Sequence, residues 1–303
     1  MRVSVCIVGF RNADDIVRCL KALAVSTHAD FQVTICENGG PEAHRRLRRA
    51  APAALPGGQA VTVIEAGGNL GYAGGVNVCL EATPDADAWW VLNPDTEPHH
   101  EAMAALLARL ERGADAVGGV VHEADGSVDS LGGHWNGWLA HARSIGVGSR
   151  LAEPIDAAAV EAQLSYISGA SLMIGRRFRQ SVGLMRKDYF LYCEEVEWCL
   201  RGLDRGMRLG LAADARILHH TGSTTGSAVR LKDRPKAPVY LDTRNRVLVA
   251  RDCFPGRMAI AAPAVLAYMA LRCLRRGAWR QLGYSLGGWW AGVMNRRGVP
   301  AWF

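Results

Sequence analysis

No two of the eight cysteines, at positions 6, 19, 36, 79, 193, 199, 253 and 273, stand in a C-x-x-C pair, so neither a zinc knuckle nor a redox dithiol is encoded. Several lie inside apolar runs, where cysteine behaves as a small buried hydrophobe. The late apolar run at residues 258–271, bracketed by Arg257 and Arg272, covers 14 residues, fewer than the roughly 20 that span a bilayer. Residues 1–10 lack the long apolar region and small-residue cleavage site of a secretory signal, so a reducing cytoplasm is the expected compartment. A G-x-G-x-x-G loop after the first strand is also missing, which disfavours a hydride-transfer dinucleotide fold. There is no internal repeat and no low-complexity linker.

What is present is a chain of 303 residues, 49% of them hydrophobic, enough for one enlarged α/β domain with an appendage. A net charge of +6 and a pI near 9.0 suit a partner that carries phosphate, or an anionic membrane surface; no nucleic-acid partner is expected. The arginines concentrate late, at Arg272, Arg275, Arg276, Arg280, Arg296 and Arg297, interleaved with Trp279, Tyr284, Trp289, Trp290 and Trp302. Helices lying in a lipid headgroup layer have this composition. A helical pair packed on the domain accounts for the same residues.

Residues 3–9 form a short apolar, β-rich run, followed by Asn12 as a helix N-cap and by helical spacing through Ile16, Cys19, Leu20 and Leu23. The unit recurs: residues 31–36 precede an arginine-rich helix, residues 61–64 a helix from about Tyr72, and residues 89–92 a helix after Pro98. Successive β-α units predict a mostly parallel sheet with helices on both faces. Ligands of such sheets bind at the carboxyl ends of the strands. That rule selects Phe10, Arg11 and Asn12, then Glu37 and Asn38, then Gly68 and Asn69, then Asn93, Pro94 and Asp95. Between residues 115 and 174 short strands and Gly-rich turns predict a mixed or antiparallel insertion. A helix at 194–205, a strand-like stretch at 207–212 and an extended run at 215–218 follow.

Four segments carry candidate chemistry. Asn93-Pro94-Asp95-Thr96 leaves a strand and precedes a helix, so the Asp95 carboxylate either starts a turn or holds a hard divalent cation whose octahedron phosphates and water complete. The loop containing Gly68, Asn69, Gly71, Tyr72, Gly74, Gly75 and Asn77 enters a helix, where glycines allow close backbone approach and the helix N-terminus favours negative charge. Glu194, Glu195 and Glu197 open another helix. The macrodipole there supports ionised groups and Glu197–Arg201 is an i,i+4 pair, while one of these carboxylates is also suited to act as a general base. His219 and His220 close an extended run, as structural residues or as metal ligands.

Taken in this order, the segments resemble the family 2 glycosyltransferases, most closely the rhamnosyltransferase-like branch of bacterial surface polysaccharide synthesis. The resemblance covers about residues 3–250 and includes Val3-Ser4-Val5, Ser168-Gly169-Ala170 and Phe190-Leu191-Tyr192. It implies a GT-A nucleotide-diphospho-sugar transferase fold at residues 1–254, with a donor half at about 1–121 and an acceptor half at about 122–254. Beyond the resemblance, composition predicts an amphipathic helical, membrane-associating appendage at 255–303.

Further implications of the resemblance concern the site. Asp95 binds Mg2+ or Mn2+, joined by His219 on the strength of its spacing to Ser223, with His220 as the alternative. Glu195 is the base of an inverting displacement, with Glu194 as its rival, because family members usually carry Asp at this position and at that of Glu37. The nucleotide rests against the loops after the first two strands, near Glu37 and Asn38, and the Gly68–Asn77 loop lines the donor pocket. Arg244, within the Arg-Asn-Arg segment after Tyr240, meets the diphosphate. The implied donor is a dTDP- or UDP-sugar, first dTDP-L-rhamnose, and the acceptor a glycan or polyprenyl-diphosphate-linked glycan at the inner face of the cytoplasmic membrane. A sugar nucleotidyltransferase, or a membrane-associated scaffold with a degenerate fold, would be the alternative; the former normally shows an early Gly-rich triphosphate loop, which residues 10–14 do not supply.

Overall fold

A computed structural model describes residues 1–220 and 230–303 of the chain. Four β-α units open the fold: β1 (Val3–Gly9) with α1 (Ala13–Leu23), β2 (Phe31–Glu37) with α2 (Pro41–Ala50), β3 (Val61–Glu65) with α3 (Gly71–Ala82), and β4 (Ala88–Leu92) with the short β5 (Thr96–Pro98) and α4 (Ala102–Glu111). β1 and β4 are buried at every position, the signature of strands covered on both faces. Asn12 holds the N-cap position of α1, but its Oδ1 accepts from the Phe10 amide at 3.0 Å instead of capping the helix.

The second half adds β6 (Ala116–His122), β7 (Val128–Ser130), the hairpin β8 (Gly133–Asn136) and β9 (His141–Ser144), and α5 (Ala157–Glu161). Then come β10 (Ser171–Gly175), α6 (Arg176–Val182), α7 (Glu194–Asp204) and β11 (Leu209–His219). The main sheet runs β3-β2-β1-β4-β10-β6-β11-β5, with β7 beside β6. Every pairing among β3, β2, β1 and β4 is parallel. Beyond β4, among the described residues, only β6–β11 is parallel; β10 runs against both its neighbours, β5 against β11 and β7 against β6. The expectation of a mostly parallel sheet therefore holds for the donor half and gives way to a mixed sheet in the other, because the chain enters β10 from a loop on the opposite side and not through a crossover helix. The two extended stretches near residues 207–218 form one strand, interrupted by a register shift between Leu211 and Arg216.

Three helices finish the chain: α8 (Lys236–Cys253), α9 (Met258–Leu274) and α10 (Trp279–Val293). Sequence periodicity gave no warning of α8, whose polar and apolar residues are buried alike, among them Thr243, Arg244 and Asn245. α9 continues through Arg272, so together with the turn before it the helical stretch Pro255–Leu274 reaches 20 residues and contains an 18-residue window of mean hydropathy 1.4. That length and apolarity match a membrane span, which the 14-residue run alone did not. One face of α9 is nonetheless seated in the main core through Ala261, Ala262, Val265 and Met269. α10 lies tightly on α8: a Cβ on Gly288 would stand 2.3 Å from the Tyr240 carbonyl oxygen, and one on Gly292 2.8 Å from that of Arg244.

Residues 255–303 therefore cover α8, and removing them would strip a side of the core. Gly288→Val should lower stability by about 1–3 kcal/mol, the ordinary cost of overpacking, seen as a lower urea midpoint. An unchanged midpoint would mean that α10 is not held against α8.

Candidate active site

The carboxyl ends of β1, β2 and β4 open on a cavity of about 520 Å3. Because β10 is antiparallel, its beginning lies at the same sheet edge and contributes Ser168, Gly169 and Ala170. The start of α3, the start of α7 and the end of β11 supply the other walls.

Of the residues singled out in the sequence, Phe10, Asn38, Asn69, Gly71, Tyr72, Asn93, Asp95, Glu194, Glu195 and His219 line this cavity. Asp95 and His219, 124 positions apart, meet because β11 pairs with β5 in a register that sets His219 opposite Thr96. His219 Nε2 lies 3.4 Å from an Asp95 oxygen. Its other ring nitrogen, Nδ1, is buried without a hydrogen-bond partner and faces Asp129 of β7 at 3.7 Å, beyond hydrogen-bond reach but close enough for charge attraction. Burial alone would depress the His219 pKa; Asp129 and Asp95 outweigh it and carry the value up to about 9. Once its proton is displaced, the imidazole nitrogen facing the Asp95 carboxylate completes a donor set that fits a divalent cation, which then takes the place of the proton in the ion pair.

Glu194 and Glu195 stand at the first turn of α7, whose macrodipole favours their ionised forms. Burial works in the opposite direction and raises both pKa values, that of Glu194 further through the Glu195 charge. Glu195 is also pushed up by Asp242, against main-chain amides that favour its anion. Gly169 passes close to both groups: a Cβ there would sit in ordinary contact, 3.6 Å from the Tyr72 hydroxyl and 3.7 Å from Glu195. Tyr72 donates its hydroxyl proton to the Gly169 carbonyl at 2.6 Å.

Other selected residues shape the cavity from behind its lining, together with Gly71, which also lines it. Glu37 Oε1 accepts from the amides of Arg11 at 3.1 Å and Gly39 at 2.7 Å, tying together the loops after β1 and β2, while its buried Oε2 has no hydrogen-bond partner. Gly71, at φ +71°, leaves no room for a Cβ, which would lie 2.1 Å from the Phe190 carbonyl oxygen. Gly74 and Gly75 let α3 approach Leu70 and Val8, and Gly68 stands open, off the cavity wall.

Three expectations change. Asn77, expected beside the donor, exchanges two hydrogen bonds with the main chain of Met185, at 2.9 and 3.0 Å, because the α3 face it occupies points into the core. Arg244, expected to meet a diphosphate, is buried with its donors committed to Asn245, the Gly298 carbonyl and the Tyr189 carbonyl. His220 turns away from Asp95 and bonds Glu97 at 2.7 Å, since alternate residues of an extended chain face opposite ways. Ser223, which gave His219 its spacing, lies outside the described residues. Asp129 was missed, as nothing near it in sequence marks it, and so were Ala237, Pro238 and Phe303 on the cavity's far wall. The trio His99, His100 and Glu101 also groups ligand atoms within 4.8 Å but is exposed and does not line the cavity.

Comparison with known proteins bears on the fold and the family. The Haloferax volcanii low-salt glycan biosynthesis hexosyltransferase Agl10 is 25% identical over 78% of this chain and 77% of its own. The N-acetylglucosaminyl-diphospho-decaprenol L-rhamnosyltransferase of Mycobacterium tuberculosis is 29% identical over 69% of this chain and 73% of its own. The solved mannosyltransferase PcManGT of Pyrobaculum calidifontis, in complex with GDP-Man and Mn2+, superposes with a TM-score of 0.58 at 13% identity, covering 97% of this chain and 88% of that one, a likeness of fold. A family model for glycosyl transferase family 2 matches residues 4–177, more than half of the chain. The chain thus belongs to glycosyl transferase family 2, as an enzyme of the hexosyltransferase class that uses nucleotide-sugar donors.

Proposed function

We propose that the cavity binds a nucleotide-diphospho-sugar with a divalent cation at Asp95 and His219 and transfers the sugar, with inversion, to an acceptor hydroxyl deprotonated by Glu195. The observation that carries this reading is that Asp95, His219, Glu194 and Glu195 line one cavity at the strand ends. Phe10 and Asn38 lie where the nucleotide would rest, beside the Glu37-tied loops. Mg2+ or Mn2+, when bound, neutralises charge on the departing diphosphate. Glu195 takes the proton of the acceptor oxygen as that oxygen forms its bond to the anomeric carbon and the bond from that carbon to the diphosphate oxygen breaks. Glu194, more deeply buried and unpaired at Oε2, holds a proton more readily and keeps the local charge down.

L-Rhamnose from dTDP-L-rhamnose is the first donor to try, supported by the mycobacterial relative's name. The same name supports an acceptor linked to a polyprenyl diphosphate in envelope glycan synthesis. With such an acceptor the enzyme would work at the inner face of the cytoplasmic membrane. Residues 255–303 contain seven arginines and no aspartate or glutamate. Trp279 is 68% and Trp290 52% exposed, near the exposed Leu271, Leu274, Arg275, Arg276 and Arg280. This surface suits the headgroup layer of an anionic membrane.

Glu195→Gln should abolish transfer while leaving donor affinity near wild type in calorimetry. Because the base must be ionised and its pKa is raised, wild-type kcat should fall as the pH drops, along a limb above the usual carboxylate range. Full transfer by Glu195→Gln would sink the assignment. Replacing Trp279 and Trp290 by Ser and Arg275 and Arg276 by Glu should release the protein from anionic phospholipid vesicles, each lost cation weakening attraction by about 1 kcal/mol. Unchanged co-sedimentation would refute the membrane face.

A further inference from the structure

Directly before Glu194 and Glu195 the backbone adopts an unfavourable shape. Phe190 at φ +69°, Tyr192 at +73° and Cys193 at +65° all occupy the left-handed region without being glycine, and Cys193 is the N-cap residue of α7 without a side-chain capping bond. L-residues pay for that conformation, and it persists only where surroundings enforce it. The enforcing group comes from α8. Asn245, wholly buried, directs Nδ2 at the carbonyl oxygens of Tyr189, Leu191 and Tyr192, at 3.0, 2.8 and 2.7 Å. Its Oδ1 accepts from Arg244 Nε at 2.9 Å. That bond settles the amide orientation, since a flipped amide would set oxygen against three carbonyls and NH2 against a guanidinium. Arg244 Nη2 adds a bond to the Tyr189 carbonyl at 2.7 Å, and the Tyr72 amide holds the Phe190 carbonyl at 2.8 Å.

We propose that Asn245, oriented by Arg244, is a positioning residue that clamps the 189–193 turn and so aims the glutamates of α7 into the cavity. The proposal rests on the reading that Glu195 is the base. It assigns the Arg-Asn pair to the aim of the proton acceptor in place of contact with the donor. Three carbonyls converge on one amide, a demand that neither aspartate nor serine meets: aspartate offers no donor when ionised, and serine offers one.

Asn245→Asp and Asn245→Ser are tested in the full chain for kcat and KM, donor affinity by calorimetry, and amide exchange over residues 189–195. The expected result is a fall in kcat of about 100-fold, the scale of a small misplacement of a reacting group. KM and affinity for the donor stay near wild type, and exchange speeds up in that turn while the sheet keeps its protection. Adding Cys193→Gly to Asn245→Ser should recover part of kcat, because glycine takes positive φ without the steric cost; this pair also serves if the aspartate variant folds poorly. A folded variant with wild-type kcat and unchanged exchange overturns the clamp. So does a loss of donor affinity in step with kcat, or an absence of any rescue. If Glu195→Gln retains transfer while Asn245→Ser loses kcat and exchanges faster, the clamp stands and the identity of the base falls.

Discussion

The short antiparallel pairing of β5 with β11 is the contact on which the active site depends. It joins Ile217, Leu218 and His219 to Pro98, Glu97 and Thr96, and the main-chain bond from the His220 amide to the Asp95 carbonyl continues it by one residue. Without that register His219 has no reason to face Asp95, because nothing in the intervening chain connects the two. A slip of one residue would turn His219 outward and bring His220 in, since successive strand residues alternate sides. The main-chain ladder therefore chooses between the two histidines, and the choice puts a carboxylate and an imidazole at one corner of the cavity.

The opposite corner is assembled under different constraints. Two carboxylates share the first turn of α7 in a buried setting that raises both pKa values, and the turn leading to them is in a left-handed conformation held by hydrogen bonds from α3 and α8. α8 is itself covered by α10. Arg297 joins this structure through ion pairs of 2.7 Å to Asp252 and 3.2 Å to Asp188, and Arg186 bonds the same two aspartates. The C-terminal helices thus support the side of the cavity that carries the glutamates as well as presenting their basic, apolar face to the surroundings.

Much of the donor half was legible in sequence because its elements alternate in the regular β-α order and its apolar runs are continuous. Phe10, Asn38, Asn69 and Asp95 fall just beyond strands or at a helix entrance, where the end-of-strand rule finds them. The other half resisted. β10 begins rather than ends at the cavity, so that rule passes over Ser168 to Ala170. α8 buries Thr243, Arg244 and Asn245 beside its apolar residues, which erases the amphipathic period that would announce a helix. Resemblance to the family's Arg-Asn-Arg segment implies that Arg244 is a diphosphate ligand; only tertiary structure shows its donors committed to Asn245 and to main-chain carbonyls. Asn77 misled likewise, since its polar side chain serves the Met185 backbone. Asp129 reaches His219 through sheet pairing alone, and no local pattern encodes that.

Binding of nucleoside diphosphates is the most direct measurement of the central claim, that Asp95 and His219 hold a cation which holds the donor. Titrating UDP, dTDP and GDP calorimetrically into the wild type and Asp95→Ala, with Mn2+ and with EDTA, separates the possibilities. The account predicts that the preferred nucleotide binds the wild type only when Mn2+ is present and that Asp95→Ala loses this binding while remaining folded. Equal affinity in EDTA, or undiminished Mn2+-dependent binding by Asp95→Ala, would contradict it.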